Sequence, residues 1–470
     1  MSSNKTGGVQ ATSWCALAAV IGLVKLVVFV LDSNPQVLLG DSMSYLTTAI
    51  QGWIPHDRSF LYGFLVYIVT ARALSLSSLI AVQTCAGIAT ALLTAWILIR
   101  FFRAPFRIAA AIAVIVALEP QQLLYERFVL TESLSTALFA GFLCVALEYI
   151  YARQWWSLPA TQIGGVLLIA LRMTYLPVVA ATTLIAPLLA CMPLQNRARK
   201  LAIHLLISVS LFAVLHTAYR QWNGYLRGQP AAYLYADGFF LIGTVSPLIT
   251  AADTDIPQLA PVLSQPLVYA KGEDRAIYRA AELYLDDGLV TRIKVALKDD
   301  YRANAEAKRI AYRAIRRDPA GLIRLAMQTS LLIYSWNYMK DSMRLEAGMR
   351  ELEPEHLRVL SHYHLDAREL PFMKTFTRQY YLGSWPWFLL VLHTPLALLA
   401  CAAVERPGAR RLIWFLALTA CVQVGTAQLL QVEPSTRYLH PTAVLFAIAI
   451  GVFMSRLRAR RLGRDLKVSF

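Results

Sequence analysis

Long apolar runs separated by polar connectors organise this chain, and their lengths define its elements. The first, Trp14 to Leu31, reaches across a hydrocarbon core roughly 30 Å thick at about 1.5 Å per helical residue. Lys25 interrupts it. It reads as a snorkelling lysine, whose stem lies among apolar groups and whose ammonium reaches the boundary, rather than as the partner of an intramembrane acid. Residues 32–60 are polar; residues 61–73 are apolar but too short to cross, and with Tyr62 and Tyr67 they predict a helix in the interface. Further spans are predicted at Ser77 to Phe102, Ile108 to Leu118 and Thr131 to Tyr151.

The region 157–194 admits one long helix or two. Arg153 and the cluster Arg197, Arg199, Lys200 bracket it, and placing both on one side of a membrane requires two spans with a turn from Arg172 to Pro177. Leu201 to Leu215 follows as another span. Residues 218–320 are polar and read as helical over about 273–317. The apolar segment 321–336 is ambiguous. Spans at Trp385 to Val404, Leu412 to Leu430 and Tyr438 to Met454 come after it, with Arg406, Arg410, Arg411 and the tail from Arg456 to Arg464 between and beyond them. If 321–336 crossed, all those basic groups would flip outward, so it is assigned to the surface or to a re-entrant helix.

The expected fold is an all-α polytopic membrane protein with about ten transmembrane helices, interfacial helices and a small, mostly helical external domain. Its layout is an N-terminal transmembrane module, 1–217, with a first outer loop at 32–76. An external helical domain, 218–381, and a C-terminal transmembrane module, 382–470, complete it. Both termini are expected in the cytoplasm of a bacterial inner membrane, with the loops after spans one, three, five and nine facing the periplasm.

Composition sharpens this. Of 470 residues 57% are hydrophobic and 16% charged, which excludes an ordinary soluble chain. The net charge of +16 comes largely from short basic loops, so it reads as an orientation signal and not as a nucleic-acid footprint. No cleavable signal is evident. The six cysteines lie in apolar spans, so no disulfide framework is expected.

Candidate chemistry concentrates at the outer ends of the spans, where Asp41, Asp57, Arg58, Glu126, Arg127, Glu132, Arg172, Glu433 and Arg437 mix acids with arginines. Positive-inside bias does not call for that mixture. Each residue also has a plainer reading. Asp41 in Asp41-Ser42-Met43-Ser44 suits a helix cap, Arg58 an interfacial anchor, and Glu132 a first helical turn. Arg172 lies between two apolar halves and needs an anion or water. Together they suit a substrate with an apolar tail and a phosphate, which arginine forks hold bidentately while a carboxylate deprotonates a hydroxyl. His362-Tyr363-His364-Leu365-Asp366 reads as a solvated loop before a metal site, and the tyrosines of 219–312 as packing and interface residues.

Several runs carry a family resemblance: Gly40-Asp41-Ser42 with Tyr45, Asp57-Arg58 leading to Tyr62-Gly63-Phe64, Leu130-Thr131-Glu132-Ser133-Leu134, Leu171-Arg172 ahead of Pro177, and Arg437-Tyr438 ahead of Pro441. In order and topology they resemble the GT-C class of integral-membrane glycosyltransferases, near the protein mannosyltransferase and lipid A aminoarabinose transferase branch. The chain lacks the prolines that flank the tyrosine in that pattern and has Met173 where a proline often follows the arginine. The resemblance implies an inverting transfer of sugar from a polyprenyl-phosphate-linked donor to a hydroxyl of a lipid, glycan or secreted protein at the periplasmic face. Asp41 would be the catalytic base or an acceptor-orienting carboxylate, with Glu132, and Asp57 as a further candidate, assisting in the pocket. Arg58, Arg172, Arg437, Tyr45, Tyr62, Tyr438 and Arg127 would hold donor phosphate and sugar. No cofactor is required, and metal dependence stays open. A lipid or glycan transporter or flippase is the competing reading, but no internal repeat supports it; a glycan-polymerising enzyme using a diphosphate donor is a third.

Overall fold

The computed structural model describes residues 11–268, 279–365, 368–405 and 407–461. The expected helix start at 273–278, Asp366 of the histidine segment, Arg406 and Arg464 lie outside these ranges. Among the described residues regular structure is helical, apart from an isolated bridge between Gln36 and Phe128. In chain order the helices are α1 Ala11–Leu31, α2 Leu39–Gln51, α3 Phe60–Thr70, α4 Ser77–Phe102, α5 Phe106–Ala117, α6 Pro120–Tyr125, α7 Glu132–Ala152 and α8 Ser157–Leu171. Then come α9 Leu176–Cys191, α10 Arg197–Arg227, α11 Asp237–Val245, α12 Ala260–Ser264, α13 Arg279–Tyr284, α14 Leu289–Leu297, α15 Asp300–Arg317 and α16 Pro319–Leu332. The last are α17 Trp336–Glu346, α18 Pro354–Ser361, α19 Phe376–Leu382, α20 Trp385–Leu392, α21 Thr394–Val404, α22 Pro407–Leu430 and α23 His440–Arg461.

Among the described residues seven helices are long and apolar enough to cross a membrane, or eight if the bent pair α20–α21 counts as one span. The expected ten is therefore not reached by length and composition. α5 and α8, at 12 and 15 residues, cover only about 18 and 22 Å at 1.5 Å per residue. They nevertheless run between the same two ends of the bundle as their neighbours. α4 and α7 lie parallel: Ser133 donates to the Gln83 carbonyl near their starts (2.8 Å), and Arg100 pairs with Glu148 near their ends (2.9 Å). The chain must return between them, and α5, α6 and the following connector do so, bringing the Phe128 carbonyl to 2.8 Å from Gln83 Nε2. α8 likewise runs from Arg153, which reaches the Ala190 carbonyl at the end of α9 (3.2 Å), back to Arg172, which reaches Glu132 at the start of α7 (3.4 Å).

The span expected at Trp385 to Val404 is broken instead, with a 48° bend between its halves. Pro395 accounts for it: a proline has no N–H to donate, and its ring collides with the carbonyl four residues earlier. α16, of 14 residues, carries Ile323, Met327 and Leu331 as an exposed apolar stripe at four-residue spacing, suited to lying along a lipid boundary.

Three larger hydrophobic cores organise the packing. One fills the helix bundle between α4, α5, α7, α9, α22 and α23. Another packs α2 and α3 beneath the 124–130 connector, α17 and α19. A third, independent core is built from α11, α14 and α15. At the bundle's end near Arg100, Arg153 and Arg411 the described charges are mainly basic, and Glu148 and Glu405 there are each paired with an arginine. The opposite end holds Asp41, Glu132, Arg172 and Arg437.

α1 corrects one expectation. Leu17, Ile21, Lys25 and Val28 form its buried stripe, and Val20, Leu23, Val27 and Val30 are exposed. Lys25 does not snorkel: it is fully buried and its Nζ lies 2.5 Å from Glu126 Oε1. Four-residue spacing from Leu17 and Ile21 puts it on the packed face, where an ammonium must find a carboxylate. Replacing either partner alone (Lys25→Met or Glu126→Gln) is expected to cost about 3–5 kcal/mol, because a buried charge is left alone. The double variant should recover most of that loss in detergent unfolding titrations.

Candidate functional site

The site is assembled from five chain segments at one end of the bundle. After α1 the chain runs beside the connector that precedes α7: Gln36 N–H donates to the Arg127 carbonyl (2.7 Å), and Val129 N–H donates to the Gln36 carbonyl (3.0 Å). This fixes Asp41 and Glu132 close together. Asp41 lies in the first turn of α2 but does not cap it; the Leu38 N–H is taken by the Ser42 hydroxyl (2.8 Å). Gly52, with φ of +71°, closes α2, and Ser59 caps α3 by accepting from the Leu61 N–H (3.2 Å). The two helices cross closely at Gly63, where an added Cβ would meet Thr48 at 2.5 Å. That crossing turns the 53–59 loop so that Arg58 faces Asp41.

Asp41 accepts from two arginines. Arg58 binds Oδ1, and Arg437 Nη1 reaches Oδ2 at 2.6 Å. Arg437 Nε in turn binds Glu132 Oε1, which also lies 3.4 Å from Arg172 Nη1. The Arg172 guanidinium sits 5.3 Å over the Tyr438 ring. Asp57 pairs with Arg58 at 3.2 Å at the exposed margin. The result is an alternating chain: Asp57, Arg58, Asp41, Arg437, Glu132, Arg172. Local structure aims each member. Arg172 leaves α8 in an extended conformation before a 3₁₀ turn at Met173–Tyr175, and Arg437 opens the 3₁₀ turn Arg437–Leu439 that leads into α23.

Burial raises the Asp41 pKa, but the charges of Arg58 and Arg437 outweigh it and hold the carboxyl well below its usual range. Burial opposes the charged form of Arg58, and Asp41 and Asp57 overcome that. Burial pushes the Tyr45 phenol up to about 12, so it stays protonated. Tyr45 packs edge-on against Tyr62 at 4.6 Å, and the Tyr62 hydroxyl donates to Gln83 Oε1 (2.8 Å), so these two form a buried wall beneath the charges.

Arg127 is not drawn into the chain of charges; it points to Thr84 (3.1 Å) and lies 5.6 Å over the Phe29 ring. Glu126 pairs with Lys25. Glu433 sits half-buried at the margin. Burial, helped by the charge of Glu346, pushes its pKa up to about 7. Of the tyrosines of 219–312, Tyr219, Tyr233, Tyr235 and Tyr301 are packed, with Tyr233 bonding His216 (2.5 Å) and Tyr219 bonding Ser59 (3.1 Å). Tyr225, Tyr284 and Tyr312 are exposed, and Tyr269 and Tyr278 lie outside the described residues. No group of three His, Cys, Asp or Glu side chains converges to hold a metal among the described residues.

Two supporting residues carried no sequence signal. Arg227, at the end of α10, wraps the carbonyls of Ile54 (3.1 Å), Pro55 (2.7 Å) and Arg58, fixing the loop behind the site. Glu346 ends α17 and holds the segment leading into Arg437. Both stand in polar stretches where a charged residue looks merely solvated.

No known family profile matches the chain, and no curated protein sequence matches it. Among solved structures it aligns with one titled the crystal structure of ArnT from Cupriavidus metallidurans bound to undecaprenyl phosphate. The alignment covers 97% of this chain and 82% of that one, at 14% identity and a TM-score of 0.32. A likeness that loose does not establish a shared fold.

A proton-linked effect arises at Glu433. Its folded pKa, about 7, lies above the ordinary 4.5, so the folded state binds more protons between these values. Its contribution to stability is therefore full below about pH 4.5 and is lost as pH rises toward about 7. Glu433→Gln should remove that slope: its stability relative to wild type should rise between about pH 5 and about pH 8 in thermal unfolding scans.

Proposed function

We propose that this protein is an inverting glycosyltransferase that moves a sugar from a polyprenyl-phosphate-linked donor to an acceptor hydroxyl at the outward end of its helix bundle. The observation that carries the reading is the interleaving of Arg58, Arg172 and Arg437 with Asp41, Glu132 and Asp57 at one end of an apolar bundle. Three guanidiniums at such a boundary suit a phosphate whose tail stays in lipid.

In the proposed reaction the acceptor hydroxyl attacks the anomeric carbon in line. Its proton passes to an Asp41 carboxylate oxygen as the new C–O bond forms. The bond from the anomeric carbon to the donor phosphate breaks, and its electron pair leaves on the phosphate oxygen. Arg58, Arg172 and Arg437 neutralise the charge that gathers there. Glu132, held between Arg172 and Arg437, orients both guanidiniums, and Asp57 steadies Arg58 at the margin. Tyr438, beneath Arg172, supplies an apolar face for the sugar or the first prenyl unit.

Orientation comes from charge. The end opposite the site carries Arg100, Arg103, Arg107, Arg153, Arg410 and Arg411, so it is assigned to the cytoplasm and the site to the periplasm of a bacterial inner membrane. Residues 218–381 then form the external side that meets the acceptor.

Asp41→Asn is expected to reduce transfer by at least about 100-fold while protein level in the membrane is kept, because the amide cannot take the proton. Near-normal transfer would remove Asp41 from the reaction. Arg172→Ala should raise the donor KM by about tenfold, the value of one charge-assisted contact. Unchanged donor KM and kcat would exclude Arg172 as a phosphate ligand. Both are measured with a labelled polyprenyl-phosphate sugar and reconstituted protein.

A further inference from the structure

Glu346 is one of the few buried carboxylates here without a cation. It is 6% exposed, ends α17, and makes no ion pair among the described residues. Its oxygens are surrounded by hydrogen-bond donors. The Thr436 hydroxyl lies at 2.6 Å from Oε2 and the Tyr381 hydroxyl also reaches it; the Ser435 hydroxyl and the Arg437 backbone N–H (3.3 Å) reach Oε1. A second ring ties these donors down. The Tyr381 and Thr436 oxygens lie 2.6 Å apart, and Gln121 Nε2 of α6 donates to Thr436 (3.1 Å). Elements from three parts of the chain, α6, α17 and α19, thus converge on residues 435–437.

Those residues bear directly on the site. Arg437 starts the turn that Glu346 holds by its backbone N–H, and its guanidinium bridges Asp41 and Glu132. The bridge has to hit two carboxylates at once, so a shift of about 1 Å at the backbone would break one of them. A carboxylate suits this task better than an amide. Four donors converge on it, and an amide would turn two of its own hydrogens toward hydroxyls. Charge-assisted bonds are also the stronger ones.

We propose that Glu346 is a positioning residue: by gripping the 435–437 turn it sets the place of Arg437, and through it the affinity for the donor's phosphate. This rests on the reading of Arg437 as a phosphate ligand. Glu346 touches no reacting atom. It is distinguished from a plain core residue by acting on ligand affinity through Arg437 alone.

The test uses the full-length protein in lipid nanodiscs and a synthetic polyprenyl monophosphate as probe, with hydrogen exchange followed over 435–440. Glu346→Gln is expected to weaken probe binding about tenfold, the worth of one misplaced charge-assisted contact. It should also speed exchange at the Arg437 amide without probe present. Glu346→Asp should restore part of the affinity. In an Arg437→Lys background, Glu346→Gln should add little, because the route of its effect is already cut. Ser435→Ala, which removes one donor and leaves the carboxylate, should give a smaller loss of the same kind, and it serves if Glu346→Gln fails to fold. Two results would overturn the proposal: Glu346→Gln or Ser435→Ala binding the probe as tightly as wild type, or Glu346→Gln weakening binding equally with Lys at 437. Wild-type protein that does not bind the probe at all would instead bring down the donor reading, and this inference with it.

Discussion

Buried charge must be matched, and the end of this bundle that holds Asp41, Glu132, Arg172 and Arg437 is organised by that need. Two acids, Asp41 and Glu132, are each shared between two arginines, and Arg437 is common to both. Taking an ion out of water costs several kcal/mol unless its partner and further hydrogen bonds compensate. No pair here stands alone, and the members come from the α1–α2 connector, the loop before α3, the start of α7, the α8–α9 turn and the turn before α23. The fold around them serves largely to bring these segments to one place and keep them there.

Support is graded with distance from the charges. Next to the site, Arg227 holds the loop of Arg58 by its carbonyls, and Glu346 holds the turn of Arg437 by hydroxyls and an amide. One layer deeper, the bridge between Gln36 and Phe128 aligns the Asp41 and Glu132 connectors. Inside the bundle, Lys25 of α1 grips Glu126 of the same connector. Such preorganisation matters for the proposed chemistry. Guanidiniums already held in place by their acids need no reorganisation when a phosphate departs.

Much of this could be read from the chain, and the exceptions have physical causes. α4 spans Ser77–Phe102, the bounds expected from its apolar run, because basic residues and Pro105 end it abruptly. The turn after Arg172 was legible from a charge in apolar surroundings with Pro177 beyond it. By contrast, Lys25 finds a partner 101 residues away, and nothing local marks that pairing. The bend in the α20–α21 span was signalled by His393, Thr394 and Pro395, but the strongly apolar stretches on either side masked it. α5 and α8 match the short apolar windows read for them, and their length alone does not decide whether they cross. The acids and arginines of the site were legible as types. Their order of pairing was not, since alternation depends on geometry contributed by distant segments. Arg227 and Glu346 were hidden because a charge in a polar stretch carries no sign of what it holds.

The central claim is that Arg58, Arg172 and Arg437 grip one phosphate while Glu132 goes on orienting Arg172 and Arg437 and Asp41 gives up one guanidinium contact to act as base. It is tested most directly by a cryo-electron-microscopy structure of the full chain in a nanodisc with a polyprenyl monophosphate bound. The account requires phosphate density within hydrogen-bond reach of all three guanidiniums, with at least one Asp41 oxygen freed and facing open space. Phosphate bound elsewhere, with Asp41 still joined to both Arg58 and Arg437, would contradict it.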